Sequence, residues 1–558
     1  MKQNVYFIQI PLSPVTACLP QAIGTIWSYC EQFSEITDRY QLGGVWWNEP
    51  IDIVEPAVVA ASCYMWNWKP TYEILKNIKK TYPKCLIVVG GPDPQYSTEW
   101  CKNHPEIDAV VAYYGEETLR QILTSDSLDL PGVVTKDFNN ANSAKYADPA
   151  TIPSPYLNGF FDKLLLTNTK KTVRVVFEGN RGCPYACSFC DIGSIMYQKI
   201  QMFDTDRCIA ELDWMIKNNI ATIDVADSNF GIFPRDEQLV DFLIEKKIAG
   251  EFTGSFMPTW AKNHGDRVIR LAKKLQTHDI DKIFGFSLQS TNPETLKNVK
   301  RTNTYDVAGF VPILEDMDKN GVATYTELIF PMPGDTVESF KSGLHTIVDM
   351  PTPFQMIQIN SLSRLSNTEF NTGFPTLTWS HILGTAKPYD NDVTDEICIA
   401  TDTLSADDVF EMLFYSRAYL IPMYWYGLST YVADYVYVNN IMQRSEWFVD
   451  LYNKLLTLDF FVEFKRNMKL HYFNAIENND HIGYFVETLY YTDTAYAHLT
   501  YVQNNMFDVI ARMYPEYSDV VIKNKSEFKT IDNLDKWMKA IHIKGRFNRS
   551  WKNDQKTK

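Results

Sequence analysis

Short apolar runs punctuate the first quarter of the chain, at Val5 to Ile10, Ala57 to Ser62, Leu86 to Val89 and Ala109 to Ala112, separated by helical stretches such as Tyr72 to Tyr82. Uninterrupted runs of this kind predict strands buried on both faces, which belong to parallel sheets crossed over by helices. The pattern predicts a doubly wound α/β unit whose ligands lie at the carboxyl ends of the strands. Val88-Val89-Gly90-Gly91-Pro92 places two glycines at one such end. Without side chains there, a large ligand can approach the backbone, although a plain strand-to-helix turn uses the same residues.

From Asn139 to Asn158 the chain is rich in Asn, Ala, Ser and Pro and reads as an ordered crossing linker. Strand-like runs then recur with helical spacers at Val173 to Phe177, Thr222 to Val225, Phe252 to Phe256, Ile283 to Leu288, Thr324 to Phe330 and Gln355 to Ile359. Six alternations predict a partial (β/α)6 barrel. In such barrels the carboxyl ends of the strands face the ligand. Asp227 follows the second run, Ser255 lies on the third, Gln289-Ser290 ends the fourth and Glu327 lies on the fifth. Each also has a purely structural use: Asp227 as a helix cap, Glu327 as a core ion-pair partner, Gln289 as a tie between strand ends.

Beyond about Leu404 the pattern becomes helical. Asp407 to Asn440 carries Phe410, Leu413, Phe414, Tyr419, Tyr424 and Tyr426 among apolar neighbours, and Leu451 to Leu470 is again helical. Such an aromatic stripe is core packing or the wall of a pocket, with core the commoner use. The expected organisation is a Rossmann-type domain over 1–135, a linker over 136–165, the barrel over 166–403 and a helical C-terminal domain over 404–558, a candidate substrate cap.

Composition narrows the class. The 558 residues are 45% hydrophobic and 14% aromatic, enough for large cores in about three or four domains. A net charge of −15 disfavours a sequence-independent grip on phosphate backbones, so nucleic acid is not the expected partner. Seven scattered cysteines, Cys18, Cys30, Cys63, Cys85, Cys101, Cys208 and Cys398, have no disulfide-framework spacing and read as small core residues in a reducing, cytoplasmic setting. Met1 to Ile10 lacks the marks of a signal peptide. The one membrane-like stretch, Tyr419 to Val438, is interrupted by Asp434, so no membrane span is expected; the basic tail 544–558 reads as a solvated end.

The remaining three cysteines lie in Gly179-Asn180-Arg181-Gly182-Cys183-Pro184-Tyr185-Ala186-Cys187-Ser188-Phe189-Cys190, just after the run Thr172 to Phe177. Three thiolates at CxxxCxxC spacing can each hold one iron of a 4Fe-4S cube and leave the fourth iron open to a substrate. The rival is a structural zinc site, which closes with four ligands and pairs CxxC with a second pair; no second CxxC exists elsewhere in the chain.

This loop resembles that of the radical S-adenosylmethionine enzymes, in the version Arg-Gly-Cys-Pro-Tyr-x-Cys-x-Phe-Cys frequent among members with a cobalamin-binding domain. The resemblance implies that Cys183, Cys187 and Cys190 ligate a 4Fe-4S cluster, that the open iron chelates S-adenosylmethionine, and that Phe189 lies near the adenine. Ile53 to Leu123 resembles the cobalamin-binding domain, with Ser62-Cys63-Tyr64-Met65-Trp66-Asn67 and Gly90-Gly91-Pro92 as matching pieces, and so implies cobalamin contacts at Ser62, Gly90 and Gly91. The family's Gly-Glu-Gly-Glu turn stands here as Tyr113-Tyr114-Gly115-Glu116. The Asp-x-His-x-x-Gly signature is missing, and His104 is the only histidine before residue 200, so cobalamin would lack a lower axial histidine. The alternative is a domain that keeps the fold without the cofactor. Asp227-Ser228-Asn229-Phe230, Gly285-Phe286-Ser287-Leu288-Gln289-Ser290, Arg301 and Pro331-Met332-Pro333-Gly334-Asp335-Thr336 fall in the family's order, which makes Asp227, Gln289 and Arg301 candidates for holding S-adenosylmethionine. The implied activity is methylation of an unactivated carbon of a small-molecule or peptide substrate, with an electron donor such as flavodoxin or ferredoxin. A radical cyclase, rearrangement or oxidation enzyme is the alternative within the family, and a non-catalytic iron-sulfur or zinc-binding protein the alternative outside it. The catalytic residues themselves stay unassigned.

Overall fold

A computed structural model of the chain describes residues 2–11, 16–170, 172–192, 200–262, 265–281, 283–303, 306–352, 354, 356–371, 373–385, 392–420, 430–478 and 508–522. Its contacts divide it into two units: Met1–Ala261 with Arg364–Phe374 and Gly384–Asp395, and Lys262–Ser363 with Pro375–Leu383 and Glu396–Lys558.

The first unit contains Gln3–Ile8 (β1), Thr16–Cys18 (β2), Tyr40–Trp46 (β3), Pro56–Ser62 (β4), Leu86–Gly90 (β5), Ala109–Val111 (β6), Val133–Val134 (β7), Thr172–Phe177 (β8), Asn180–Arg181 (β9), Gln201–Met202 (β10), Thr222–Val225 (β11) and Ser255–Met257 (β12). One sheet has the order β3-β1-β4-β5-β6-β7, parallel except for the last pair. Its four expected strands are present, and Val58, Val59, Ile87, Val88 and Val89 are buried, as a sheet covered on both faces requires. The edge strand β3 was not among the expected strands. In the fold Gly43 lies against the Tyr6 ring, where a Cβ would come within 2.6 Å.

A second parallel sheet runs β12-β11-β8-β2. The sequence pattern gave no hint of β2, which leaves the first sheet's neighbourhood and pairs Cys18 with Arg174 of β8. The strand expected over Phe252 to Phe256 instead begins at Ser255. Gly254 passes so close to the Ile220 carbonyl, 2.4 Å from an ideal Cβ, that the chain joins the sheet only after it. The linker holds the short turns Ala141–Ser143 and Pro149–Thr151 and the helix Phe160–Leu165.

In the second unit Phe284–Gln289 (β13), Thr324–Phe330 (β14) and Met356–Ser361 (β15) form a parallel sheet in that order. The six expected strand-helix alternations are therefore all present, carried by one parallel sheet in each unit. The C-terminal region is helical over Ala406–Leu413, Phe414–Leu420, Thr430–Val438, Arg444–Leu455 and Asp459–Asn478. Phe410, Leu413, Phe414 and Tyr419 are buried, and the Tyr419 hydroxyl donates to the Phe448 carbonyl at 2.5 Å, so these four belong to the core. Asp434 is also buried, 2.5 Å from Arg444. Among the described residues no helix is long and apolar enough to cross a membrane. Tyr424, Tyr426 and the tail 544–558 lie outside the described residues.

Candidate functional site

The cysteine loop leaves the end of β8 and is gathered at its root. β9 and β10, which flank the three cysteines in sequence, pair antiparallel, Arg181 opposite Gln201. Arg235 crosses beneath, donating to the carbonyls of Gly179 at 2.5 Å and Phe203 at 2.7 Å. Asp227 is fully buried, and its carboxylate accepts the backbone N–H groups of Gly179 at 2.7 Å and Asn180 at 2.9 Å and the Asn180 amide at 2.6 Å. Burial lifts its pKa to about 7 against the pull of those donors. Expected among the residues that hold S-adenosylmethionine, Asp227 is here a support of the cysteine loop, with no exposed atom to offer a ligand. Its competition for loop N–H groups, 48 residues upstream, is not visible in a sequence.

Cys183 and Cys187 are buried and Cys190 half-buried, as is Phe189 beside it. The Asn229 amide donates to the Cys183 sulfur at 3.3 Å, and its own oxygen is buried without a partner. The sequence had marked Asp227-Ser228-Asn229-Phe230 as a strand-end motif without separating Asn229 from its neighbours. Among the described residues no group of three His, Cys, Asp or Glu side chains is gathered to hold a single ion. A cube that takes a separate iron on each thiolate does not require such convergence.

Arg181, two residues before Cys183, is buried between two carboxylates. It meets Glu178 at 2.9 Å and Glu116 at 2.8 Å, and its guanidinium lies 4.5 Å from the centre of the Tyr114 ring. This accounts for the bulky residues in Tyr113-Tyr114-Gly115-Glu116. Tyr113 takes the left-handed conformation, φ 63°, that a glycine adopts readily, and Tyr114 supplies a face for the arginine.

A cavity of about 700 Å³ lies at the carboxyl ends of β4 and β5 and reaches the inner face of β8 and β11. Ser62, Gly90 and Gly91 line it, as do Tyr64 and Trp66, whose rings stack 4.4 Å apart. From the cysteine loop it is lined by Asn180, Arg181, Gly182 and Asp191, and from β2 by Cys18. Cys18 is therefore a wall residue and not simply a core filler. Burial pushes its thiol up to about 11. Burial, with Asp93 adding to it, pushes Asp191 up to about 7. Four lining residues carry a buried side-chain oxygen without a partner: Gln9, Gln21, Glu116 and Asp191. All four are acceptors, and such atoms call for a ligand with N–H or O–H donors. His104 is elsewhere, stacked on Trp100 at 4.0 Å.

The two glycines differ. Gly91 has φ 104° and an ideal Cβ would fall 2.3 Å from the Cys63 carbonyl, so the turn itself demands glycine there. Gly90 has ordinary room, 3.6 Å to the Val111 carbonyl.

In the second unit Gln289 lies at the end of β13 and Arg301 lies against the same strand. Gln289 has φ 64°, just past a register shift in the strand, and its side-chain oxygen is buried without a partner. Backbone held in this region by a non-glycine residue is the kind of strain found at ligand sites. Arg301 donates to the Ser287 carbonyl and, at 3.0 Å, to Asn303. Glu327, half-buried on β14 with its pKa raised by desolvation, shares hydrogen bonds with Tyr325, Ser287 and Gln289. Ser255, by contrast, donates to the Ala221 carbonyl.

Comparison with known proteins converges on this reading. Residues 178–347 match the family model of the Radical SAM superfamily and residues 51–123 that of the B12 binding domain. The cobalamin-dependent radical SAM methyltransferase TokK of Streptomyces tokunonensis is 31% identical over 396 residues, covering 66% of this chain and 56% of the relative. The 2-(S-pantetheinyl)-carbapenam-3-carboxylate methyltransferase of Streptantibioticus cattleyicolor is 30% identical over the same shares. The chain thus spans little more than half the length of these relatives. In fold it is similar to the cobalamin-dependent S-adenosylmethionine radical enzyme OxsB, at TM-score 0.56 and 14% identity over 98% of this chain and 84% of that one. It is similar too to the methyltransferase TsrM of Kitasatospora setae, at TM-score 0.52 and 13% identity over 74% and 89%. The cysteine loop, the cavity at the carboxyl edge of the first sheet and these matches together place the chain in the radical S-adenosylmethionine superfamily, among its members with a cobalamin-binding domain.

Proposed function

We propose that the protein is a cobalamin-dependent radical S-adenosylmethionine enzyme that methylates an unactivated carbon of a small-molecule or peptide substrate. The observation that carries this reading is the cavity, which joins the glycine turn of the first sheet to the root of the cysteine loop within one unit. The relatives named as methyltransferases favour methyl transfer over cyclisation, rearrangement or oxidation.

The residues fit the groups the reading requires. Cys183, Cys187 and Cys190 offer three thiolates on one loop, and Asn229 adds an N–H donor to the first. The unpartnered oxygens of Gln9, Gln21, Glu116 and Asp191 suit cobalamin, whose corrin edge carries primary amides that donate hydrogen bonds. Ser62 and Gly90 line the same space. Gln289 and Arg301, with Glu327 beside them, are proposed to hold the polar groups of S-adenosylmethionine, and Phe189 to lie by its adenine. When bound, the cluster and cosubstrate supply a carbon radical, and cobalamin supplies the methyl group. The chain holds these partners in place and buries the loop roots against water. The reductant is proposed to be a protein of the flavodoxin or ferredoxin kind.

The test is to reconstitute the protein anaerobically, reduce it, and add S-adenosylmethionine and hydroxocobalamin. Release of 5'-deoxyadenosine together with bound corrinoid is expected. Cys183→Ala, Cys187→Ala and Cys190→Ala should each abolish iron loading and cleavage, while Cys398→Ala should retain both. One tightly held zinc, with no cleavage, would sink the reading in favour of a structural metal site.

A further inference from the structure

Glu116 has two oxygens in two different situations. Oε1 accepts from Arg181 at 2.8 Å, and Arg181 stands two residues before Cys183 on the neck of the cysteine loop. Oε2 is buried with no partner, on a residue that lines the cavity. The side chains of both members of the pair are almost wholly buried, 6% and 4% exposed. An unsatisfied carboxylate oxygen at such a depth is costly unless a donor reaches it.

Resting on the cobalamin reading above, we propose that Glu116 is a shared ligand: one oxygen holds the cysteine loop through Arg181 while the other accepts an amide N–H from bound cobalamin. Cobalamin then completes the surroundings of a carboxylate that already fixes the loop. Binding the corrinoid tightens the cysteine loop, and by thermodynamic reciprocity an ordered, iron-loaded loop raises the affinity for the corrinoid. The geometry supports a local link rather than a global one. Glu178 holds Arg181 from the other side at 2.9 Å, so the arginine keeps a partner when Glu116 is altered. Tyr114, from the same turn as Glu116, covers the guanidinium at 4.5 Å.

The test uses the full chain with its cluster reconstituted and hydroxocobalamin as the probe, reading corrinoid affinity and the rate of iron release to a chelator. In the wild type, saturating cobalamin should slow iron release by about fivefold or more, the lower end of ordinary coupling between sites. Glu116→Gln keeps the shape of the side chain but loses the charge. It should bind cobalamin roughly tenfold more weakly and, once saturated, release iron no more slowly than without cobalamin. Gln9→Leu removes another unpartnered acceptor that has no link to Arg181. It should weaken binding yet keep the slowing at saturation. The wild-type pair of rates stands even if a variant folds poorly. Bound cobalamin that leaves the wild-type rate unchanged overturns the coupling alone, as does full slowing in saturated Glu116→Gln. A wild type that loads iron but takes up no cobalamin overturns the cofactor reading and the coupling with it.

Discussion

Asn229 places an N–H on the Cys183 sulfur, and hydrogen bonds to cluster sulfurs are among the levers that set a cluster's potential. Such a bond favours the more negative, reduced state, so its loss lowers the potential. Asn229→Leu, close in volume and free of stranded polar atoms, should load iron normally and shift the midpoint downward by on the order of 40 mV, the one-electron equivalent of a ~1 kcal/mol bond. An unchanged midpoint in a redox titration would remove Asn229 from the cluster's surroundings. Asp227 makes a different prediction. Burial raises it to about 7, whereas an unfolded aspartate titrates near about 4. A raised carboxyl stabilises the fold fully below the unfolded value, and that contribution is lost as pH rises through the folded value. Asp227→Asn cannot ionise, so between about pH 4 and 7 its first thermal midpoint should fall less than the wild type's. Parallel curves would show that Asp227 is ionised across that range.

At the scale of elements, the apolar runs located strands in all three of the larger sheets because side chains covered on both faces leave little room for polar residues. The cysteine loop was equally plain, since its chemistry depends on spacing within a few residues. What escaped were features set by close approach and long-range pairing. Gly43 lies against the Tyr6 ring of the neighbouring strand, a close approach that local sequence does not carry. The Arg181–Glu116 pair joins residues 65 apart, and the N-terminal strand β2 pairs with β8 across more than half of the first unit. The glycine turn after β5 shows how one motif can hide two reasons. Gly91→Ala should cost at least ~1–2 kcal/mol from its backbone angle alone and more from the Cys63 carbonyl, which a lowered thermal midpoint would register. Gly90→Ala has the room to fold normally and should weaken cobalamin binding with no loss of midpoint. If cobalamin binds Gly90→Ala as tightly as the wild type, the corrinoid does not approach this strand end.

For the whole molecule, the residues proposed for the chemistry are divided between the units. The cysteine loop and the cavity belong to the first, while Gln289, Arg301 and Glu327 belong to the second. The family models end at residue 347, and the helical region beyond Leu404, which they leave out, was legible only as helices and aromatic core. Substrate choice is not written in a motif there, because a pocket wall and a core draw on the same aromatic residues. The division between units predicts separable failures. Gln289→Ala removes one polar side chain from the second unit and should leave iron content and cobalamin affinity at wild-type values. It should weaken S-adenosylmethionine binding by roughly fivefold, the equivalent of one hydrogen bond of ~1 kcal/mol. Perturbation of the reduced cluster's spectrum by titrated S-adenosylmethionine measures that affinity, and metal and corrinoid content measure the rest. A Gln289→Ala protein that lost iron and cobalamin together would show that the strained turn after β13 sustains the whole fold. Undiminished S-adenosylmethionine affinity with full loading would instead clear Gln289 from the binding site and leave Arg301 and Glu327 as the residues to test.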